Sequence, residues 1–182
     1  LALGHAYLSS TPLPGLLQPA LESVSEVTRE SCSASILDGT EIVYIARSAT
    51  KRIMSVGLNV GSRLPAYCTS MGRVLLAAEP AERQKSLLQQ SALKALTEKT
   101  MTDPARLLRE LAQVQAQGYA YVDQELETGL CSLAVPVHSA KGEVVAAINV
   151  STQASRLEES QIHSTIRAAL HNAALSLSPL LM

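Results

Sequence analysis

Polar side chains set into otherwise apolar runs are the places where this chain can do chemistry. In TSMGR, Thr69 or Ser70 can cap the start of a helix, and the N–H groups around Met71, Gly72 and Arg73 then point forward. Such an end accepts anions, because orphan donors and the helix dipole both favour negative charge. Gly72 has no Cβ, which would let a ligand carboxylate approach the backbone. In VVAAINVS, Asn149 and Ser151 stand at i, i+2 and share one face of an apolar strand. Ser132, beside Leu130 and Leu133, raises the same question one strand earlier. Buried polar atoms need partners. A small ligand supplies them in one reading, neighbouring backbone in the other.

Other chemistries fit less well. There is no G-x-S-x-G elbow and no H-E-x-x-H pair, and the histidines (His5, His138, His163, His171) are scattered. Cys68 or Ser70 could act as a hydrolytic nucleophile only with a base in hydrogen-bond reach. Asp123, Glu125 and Glu127, at spacing two, read more simply as a solvated strand end than as a cation site. Gly57-x-x-x-Gly61 lacks the Lys-Ser/Thr of a phosphate loop. Cys32, Cys68 and Cys131 contain no C-x-x-C pair, which argues for reduced thiols in a cytoplasmic protein and against a disulfide framework or zinc knuckle. No metal and no cofactor is expected.

The elements that must position these groups follow from periodicity. The 182 residues suffice for one domain, and 47% hydrophobic with 17% charged residues places the chain among globular proteins. Aromatics are only 3%, all tyrosine, so Leu, Val, Ile and Ala must fill the core. The net charge of −1, without a basic tract, argues against direct nucleic-acid binding, and no apolar run reaches membrane length. Leu1–Leu8 reads as the end of a helix entering from preceding sequence. Pro14 starts a helix with Leu17, Leu21, Val24 and Thr28 on one face, ending near Glu30. From Ser31 the period becomes two, and Asp38-Gly39 turns the chain into EIVYIAR, a hairpin. A strand over Arg52–Leu58 precedes the Gly61–Pro80 stretch, whose helix carries the stripe Met71, Val74, Leu75, Ala78.

A polar helix with Leu87 and Leu88 comes next. Asp103 then caps a helix with Pro104 in its first turn, and Gly118 closes it. Strands follow over Gly118–Asp123, with Tyr119 and Tyr121 on one face, and over Leu130–Val137, where Pro136 implies an edge or bulge. Lys141-Gly142 turns into VVAAINVS, of central-strand character, and Ser155-x-x-Glu158 is a capping-box signature for a last helix through Ile162, Ile166, Ala169, Leu170 and Ala173. This order predicts an α+β domain with a mostly antiparallel sheet and helices on its faces.

LPAYCTSMGRVLLA, GYAYVDQELETGLCSLAVPV and G-x-VVAAINVS, in that order, resemble the C-terminal effector-binding domain of IclR-type bacterial transcriptional regulators, and most closely the branch governing aromatic-acid catabolism. The resemblance spans essentially the whole chain. It implies a GAF-like (profilin-like) fold without catalytic activity, binding a small carboxylate effector of the protocatechuate, 4-hydroxybenzoate or 3-oxoadipate type. It also implies a homodimer or homotetramer that reaches DNA only through an N-terminal winged helix-turn-helix lying before Leu1, with residues 1–12 as the end of a linker helix. By motif, the family's pocket falls on Ser70, Met71, Leu130, Ser132, Asn149 and Ser151, with Tyr67, Cys68, Val122 and Ile148 as walls. Cys131 stands where this branch commonly has Arg; if that Arg neutralises the ligand, the resemblance implies either that Arg63 or Arg73 takes its place here or that the effector differs. A purely structural dimerisation domain is the alternative.

Overall fold

The computed structural model of the protein describes residues 13–50, 57–156 and 158–182. The predicted segments at Leu1–Leu8 and 52–56 lie outside these residues, and Gly57 and Leu58 are not in a strand. α1 (Leu13–Thr28) buries Leu17, Leu21 and Val24, the apolar face that its spacing dictates. β1 (Ser31–Asp38) and β2 (Glu41–Ser48) form the expected hairpin, with Asp38 opposite Glu41 and Gly39 at φ +62° in the turn. β3 (Arg63–Pro65) is a short strand leading to α2 (Ser70–Ala77), and α3 (Ala81–Gln90) follows with only Leu87 and Leu88 buried.

α4 (Pro104–Gln117) has the ends read from sequence: Asp103 accepts the Arg106 N–H at 2.9 Å, and Gly118 closes the helix at φ +80°. Replacing Asp103 by Ala is expected to lower stability by about 1 kcal/mol, the usual worth of a side-chain N-cap. Urea denaturation checks this, and an unchanged midpoint would mean the cap contributes nothing.

β4 (Ala120–Asp123), β5 (Leu130–His138) and β6 (Val144–Gln153) complete a six-stranded sheet in the order β3-β2-β1-β6-β5-β4, every neighbouring pair antiparallel. β6 lies inside the sheet and is buried on both faces, as its continuous apolar run requires. Pro136 is tolerated in β5 because β4 pairs only as far as Ala134, so at Pro136 one side of the strand carries no partner, and the β5–β6 register shifts just beyond it. After β6, a 3₁₀ turn (Ala154–Arg156) leads to α5 (Glu159–Gln161), a π-helical turn (Ile162–Ile166) and α6 (Arg167–Leu177). The capping box is not formed: Ser155 lies in the 3₁₀ turn, and the residue preceding α5, Glu158, makes no side-chain cap.

Alternation along the strands divides the interior in two. α1 and α6 cover one face, over Cys32, Ala34, Leu133, Val135, Ile148 and Val150. α2 and α4 cover the other, over Ile42, Tyr44, Ala120, Ala134 and Ala147. Pressed between the sheet and α4, α2 is buried on every side from Ser70 to Ala77, while Ala78, expected on its apolar stripe, is exposed. Among the described residues no helix is long and apolar enough to cross a membrane.

Candidate functional site

The site forms where α2 begins above the sheet. Thr69, in an extended conformation (φ −115°, ψ 149°), is the N-cap: its hydroxyl accepts from the Gly72 N–H at 3.2 Å and donates to the Pro65 carbonyl at 2.9 Å. The cap therefore uses the donor expected to face a ligand, and the Arg73 N–H is bonded to the Thr69 carbonyl. Capping by Thr69 leaves the Ser70 hydroxyl free to point at the sheet, where it pairs with the Ser132 hydroxyl.

From there a continuous hydrogen-bonded row crosses the strands. The Asn149 amide Nδ2 donates to Ser132 Oγ at 3.0 Å and to Ser151 Oγ at 3.1 Å, while its Oδ1 accepts from the Ser33 backbone N–H at 3.1 Å. Ser33 Oγ in turn accepts from Arg47 Nη1 at 2.9 Å. Strand register explains the row, since Ser33 lies opposite both Arg47 and Asn149, and Ser151 opposite Ser132. Ser35, next along the same face of β1, donates to Met71 Sδ at 3.3 Å.

A cavity of about 30 Å³ remains between this polar floor and α2, walled by Tyr44, Leu58, Leu64, Met71, Leu126 and Leu130. A hollow of about 860 Å³ opens at the far end of α2, between Leu37, Val74, Val114 and Val144. The smaller cavity is the chemically organised one, because polar groups from three strands and a helix start converge on it; Asp38, His138 and Glu143 on the larger rim are exposed and form no such cluster.

Of the residues named from sequence, Cys68, Ser70, Met71, Val122, Leu130, Ser132, Asn149 and Ser151 line this cavity together. Four do not. Ile148 points to the α1–α6 layer, as it must with Asn149 and Ser151 on the opposite face. Gly72 is pressed against the linker before α2: a Cβ there would lie 2.2 Å from the Ala66 carbonyl oxygen, so its missing side chain admits backbone and not a ligand. Tyr67 packs in the α2–α4 core and donates its hydroxyl to the Lys94 carbonyl at 2.7 Å. Arg63 is at the exposed edge, paired with Asp38 at 2.8 Å and Glu41 at 3.1 Å.

Arg73 does not face the cavity either; it is 1% exposed and bound to Glu125 at 2.6 Å. Among the described residues the cation that lines it is Arg47, half-buried, which sequence reasoning missed. None of the ion pairs found among the described residues includes Arg47.

Two of the three acids pair with different cations. Glu125 goes to buried Arg73, and Asp123 to Lys99 at 2.6 Å, a contact that lowers the Asp123 carboxyl below its usual value. Neither proposed nucleophile is activated. Burial pushes the Cys68 thiol up to about 11, which leaves it neutral near pH 7, and the Ser70 hydroxyl is bonded to another serine.

An antiparallel sheet between two helical layers, closing a polar cavity beneath a helix start, is the build of a GAF-like α+β domain. Residues 5–179 match the family described as bacterial transcriptional regulator IclR C-terminal, and the chain belongs to that family. It is 52% identical over 163 residues to the Pca regulon regulatory protein of Pseudomonas putida, covering 89% of this chain and 56% of that protein. It is 35% identical to the p-hydroxybenzoate hydroxylase transcriptional activator of Acinetobacter baylyi, covering 96% of this chain and 66% of that one. Thus the chain spans less than two thirds of these relatives' length. Among solved structures it is similar to the inducer-binding domain of a PobR double mutant from Acinetobacter in complex with 3-hydroxybenzoic acid, with a TM-score of 0.87 and 33% identity over 92% of this chain and 98% of that one. The expected family and its aromatic-acid branch are therefore both met, and the chain corresponds to the effector-binding region of such regulators.

Proposed function

We propose that the cavity under α2 binds a small carboxylate effector and that Arg47 holds the carboxylate. The observation that carries this reading is the placement of Arg47, a half-buried cation at the end of a hydrogen-bonded row that reaches Ser70 on the helix. A carboxylate gains charge-assisted bonds from the guanidinium fork, while the hydroxyls of Ser132, Ser151 and Ser70 and the Asn149 amide bond the ligand's remaining polar groups. The PobR relative's hydroxybenzoate complex supports an aromatic acid; protocatechuate, 4-hydroxybenzoate and 3-oxoadipate are the acids to try.

Because ligand pockets of this kind measure some 300–1,000 Å³, the cavity must widen to admit one. Binding therefore favours an expanded arrangement, and that population shift is the signal. In the whole protein it biases how paired domains, as a homodimer or homotetramer in the cytoplasm, present DNA-binding parts outside residues 1–182. The domain itself acts as one unit, without catalysis, metal or cofactor.

Calorimetry of the chain with these acids is expected to show saturable binding, and silence from every acid at millimolar concentration would overturn the reading. Arg47→Ala should weaken binding by about tenfold or more, since a hydrogen bond to a charged group contributes about 1.5–3 kcal/mol. Unaltered affinity in that variant would remove Arg47 from the site. Ser70→Leu should abolish binding with the circular dichroism spectrum intact.

A further inference from the structure

We propose that Arg73 is a positioning residue of the ligand site: through Glu125 it sets the spacing between the helix start that carries Ser70 and Met71 and the loop that carries Leu126. The proposal rests on the reading of the cavity as an effector site, although Arg73 touches no ligand there.

One guanidinium holds both walls. Its Nε donates to the Tyr67 carbonyl at 3.0 Å, directly before the lining run Cys68–Met71. Its Nη2 donates to Glu125 Oε1 at 2.6 Å, directly before Leu126. Its Nη1 lies 3.9 Å from Glu110 on α4, in the helical layer behind.

Glu125 is correspondingly the anchor of its loop. The same Oε1 accepts the Met101 N–H at 2.8 Å, the Glu125 carbonyl accepts from Thr100 Oγ1 at 2.6 Å, and the Gln124 carbonyl accepts from Thr97 Oγ1 at 2.7 Å. The loop closes on itself beyond that point, with the Gly129 N–H donating to Gln124 Oε1 at 2.9 Å. Its two ends, Gln124 at φ +58° and Gly129 at φ +87°, take up the left-handed turns that bring Leu126 and Leu130 over the cavity.

A buried ion pair is a poor device for stability alone, since a well-packed apolar pair of similar volume does as well. What it adds here is direction. The planar fork accepts only one mutual placement of Tyr67 and Glu125, whereas apolar side chains would let the two walls slide. In a cavity of about 30 Å³, a shift of either wall changes what can be admitted.

Glu125→Gln keeps the shape and the acceptor oxygen and removes the charge. In ligand-free hydrogen exchange, the amides of Cys68–Met71 and those of 126–130 are expected to lose protection together, by about tenfold, while the β1–β6 pairing keeps its rates. Loss at only one of the two segments, or an equal loss throughout the chain, overturns the proposal. Binding of 4-hydroxybenzoate, measured where the variant is fully folded, should weaken by at least tenfold, and undiminished affinity also overturns it. If the unaltered chain does not bind that acid, the effector reading fails for it, and the exchange comparison still decides the coupling. Should Glu125→Gln not fold, Arg73→Lys makes the same comparison, because an ammonium cannot reach Tyr67 and Glu125 in the fork's geometry.

Discussion

Replacing Arg73 by Met is expected to destabilise the chain by about 3–5 kcal/mol, the usual penalty for removing one partner of a buried ion pair. The loss does not measure the attraction between the two charges. Met fills much of the arginine's volume but leaves the Glu125 carboxylate, whose side chain is 10% exposed, with the Met101 N–H as its remaining described donor, and it strips the Tyr67 carbonyl of the Arg73 bond. The pair of substitutions Arg73→Met and Glu125→Leu should therefore be more stable than Arg73→Met alone, because the orphaned charge disappears with its partner. Urea denaturation of four chains, the parent, Arg73→Met, Glu125→Leu and the double variant, checks this, read at a common slope so that the midpoints compare stability. A single variant within about 1 kcal/mol of the parent, or a double variant whose loss equals the sum of the singles, would show that the pair is not coupled in this way.

Gly72→Ala has the second large expected effect, and its sign is the informative part. In an exposed helix interior this change stabilises by about 1 kcal/mol, through Ala's better helix propensity. Here the new methyl group would meet the Ala66 carbonyl oxygen at 2.2 Å, the Ala66 Cα at 2.4 Å and the capping Thr69 hydroxyl at 2.5 Å. Two of these are backbone atoms, so relief requires moving the linker away from α2. A net loss of about 2–3 kcal/mol is expected, at the upper end of what overpacking costs. Thermal denaturation followed by circular dichroism measures it. The displaced linker also carries Cys68 and Thr69 and leads into Ser70, so ligand affinity should fall in the same variant. A more stable Gly72→Ala chain would mean that α2 and the linker do not pack as closely as described.

Much of the fold is legible from local pattern, because local pattern is what forms it. The α1 stripe, the β1–β2 turn, the Asp103 cap with Pro104 and Gly118, and the two-sided apolar run of β6 each depend on residues a few positions apart. The misread places are those where a distant neighbour decides. Ser155-x-x-Glu158 has the letters of a capping box, but the chain winds a 3₁₀ turn there instead. Gly72 has the letters of an anion site, but a linker carbonyl occupies the space. Arg73 has the letters of a cation that could meet a ligand's charge, but Glu125, 52 positions later, takes it into a buried pair.

By itself the amino-acid sequence determined the class of fold, a helix start at Thr69 or Ser70 and the polar pair Asn149 and Ser151 that would share a strand face, since period two and helical caps are properties of neighbouring residues. Three further matters were settled only by the tertiary structure. It brought Ser33 to Asn149 across 116 positions and so joined the polar groups into one row. It left the cavity at about 30 Å³, a volume that depends on how Leu58, Leu64, Leu126 and Leu130 meet. And it turned Arg47 to the cavity. Strict alternation from Ile42 and Tyr44 would turn Arg47 to the other face, but the register shift between Ala34 and Ser35 leaves Ile45 as the extra residue and reverses the parity beyond it. One bulged residue, invisible in the pattern of side chains, places the charge beside Ser33 and under α2.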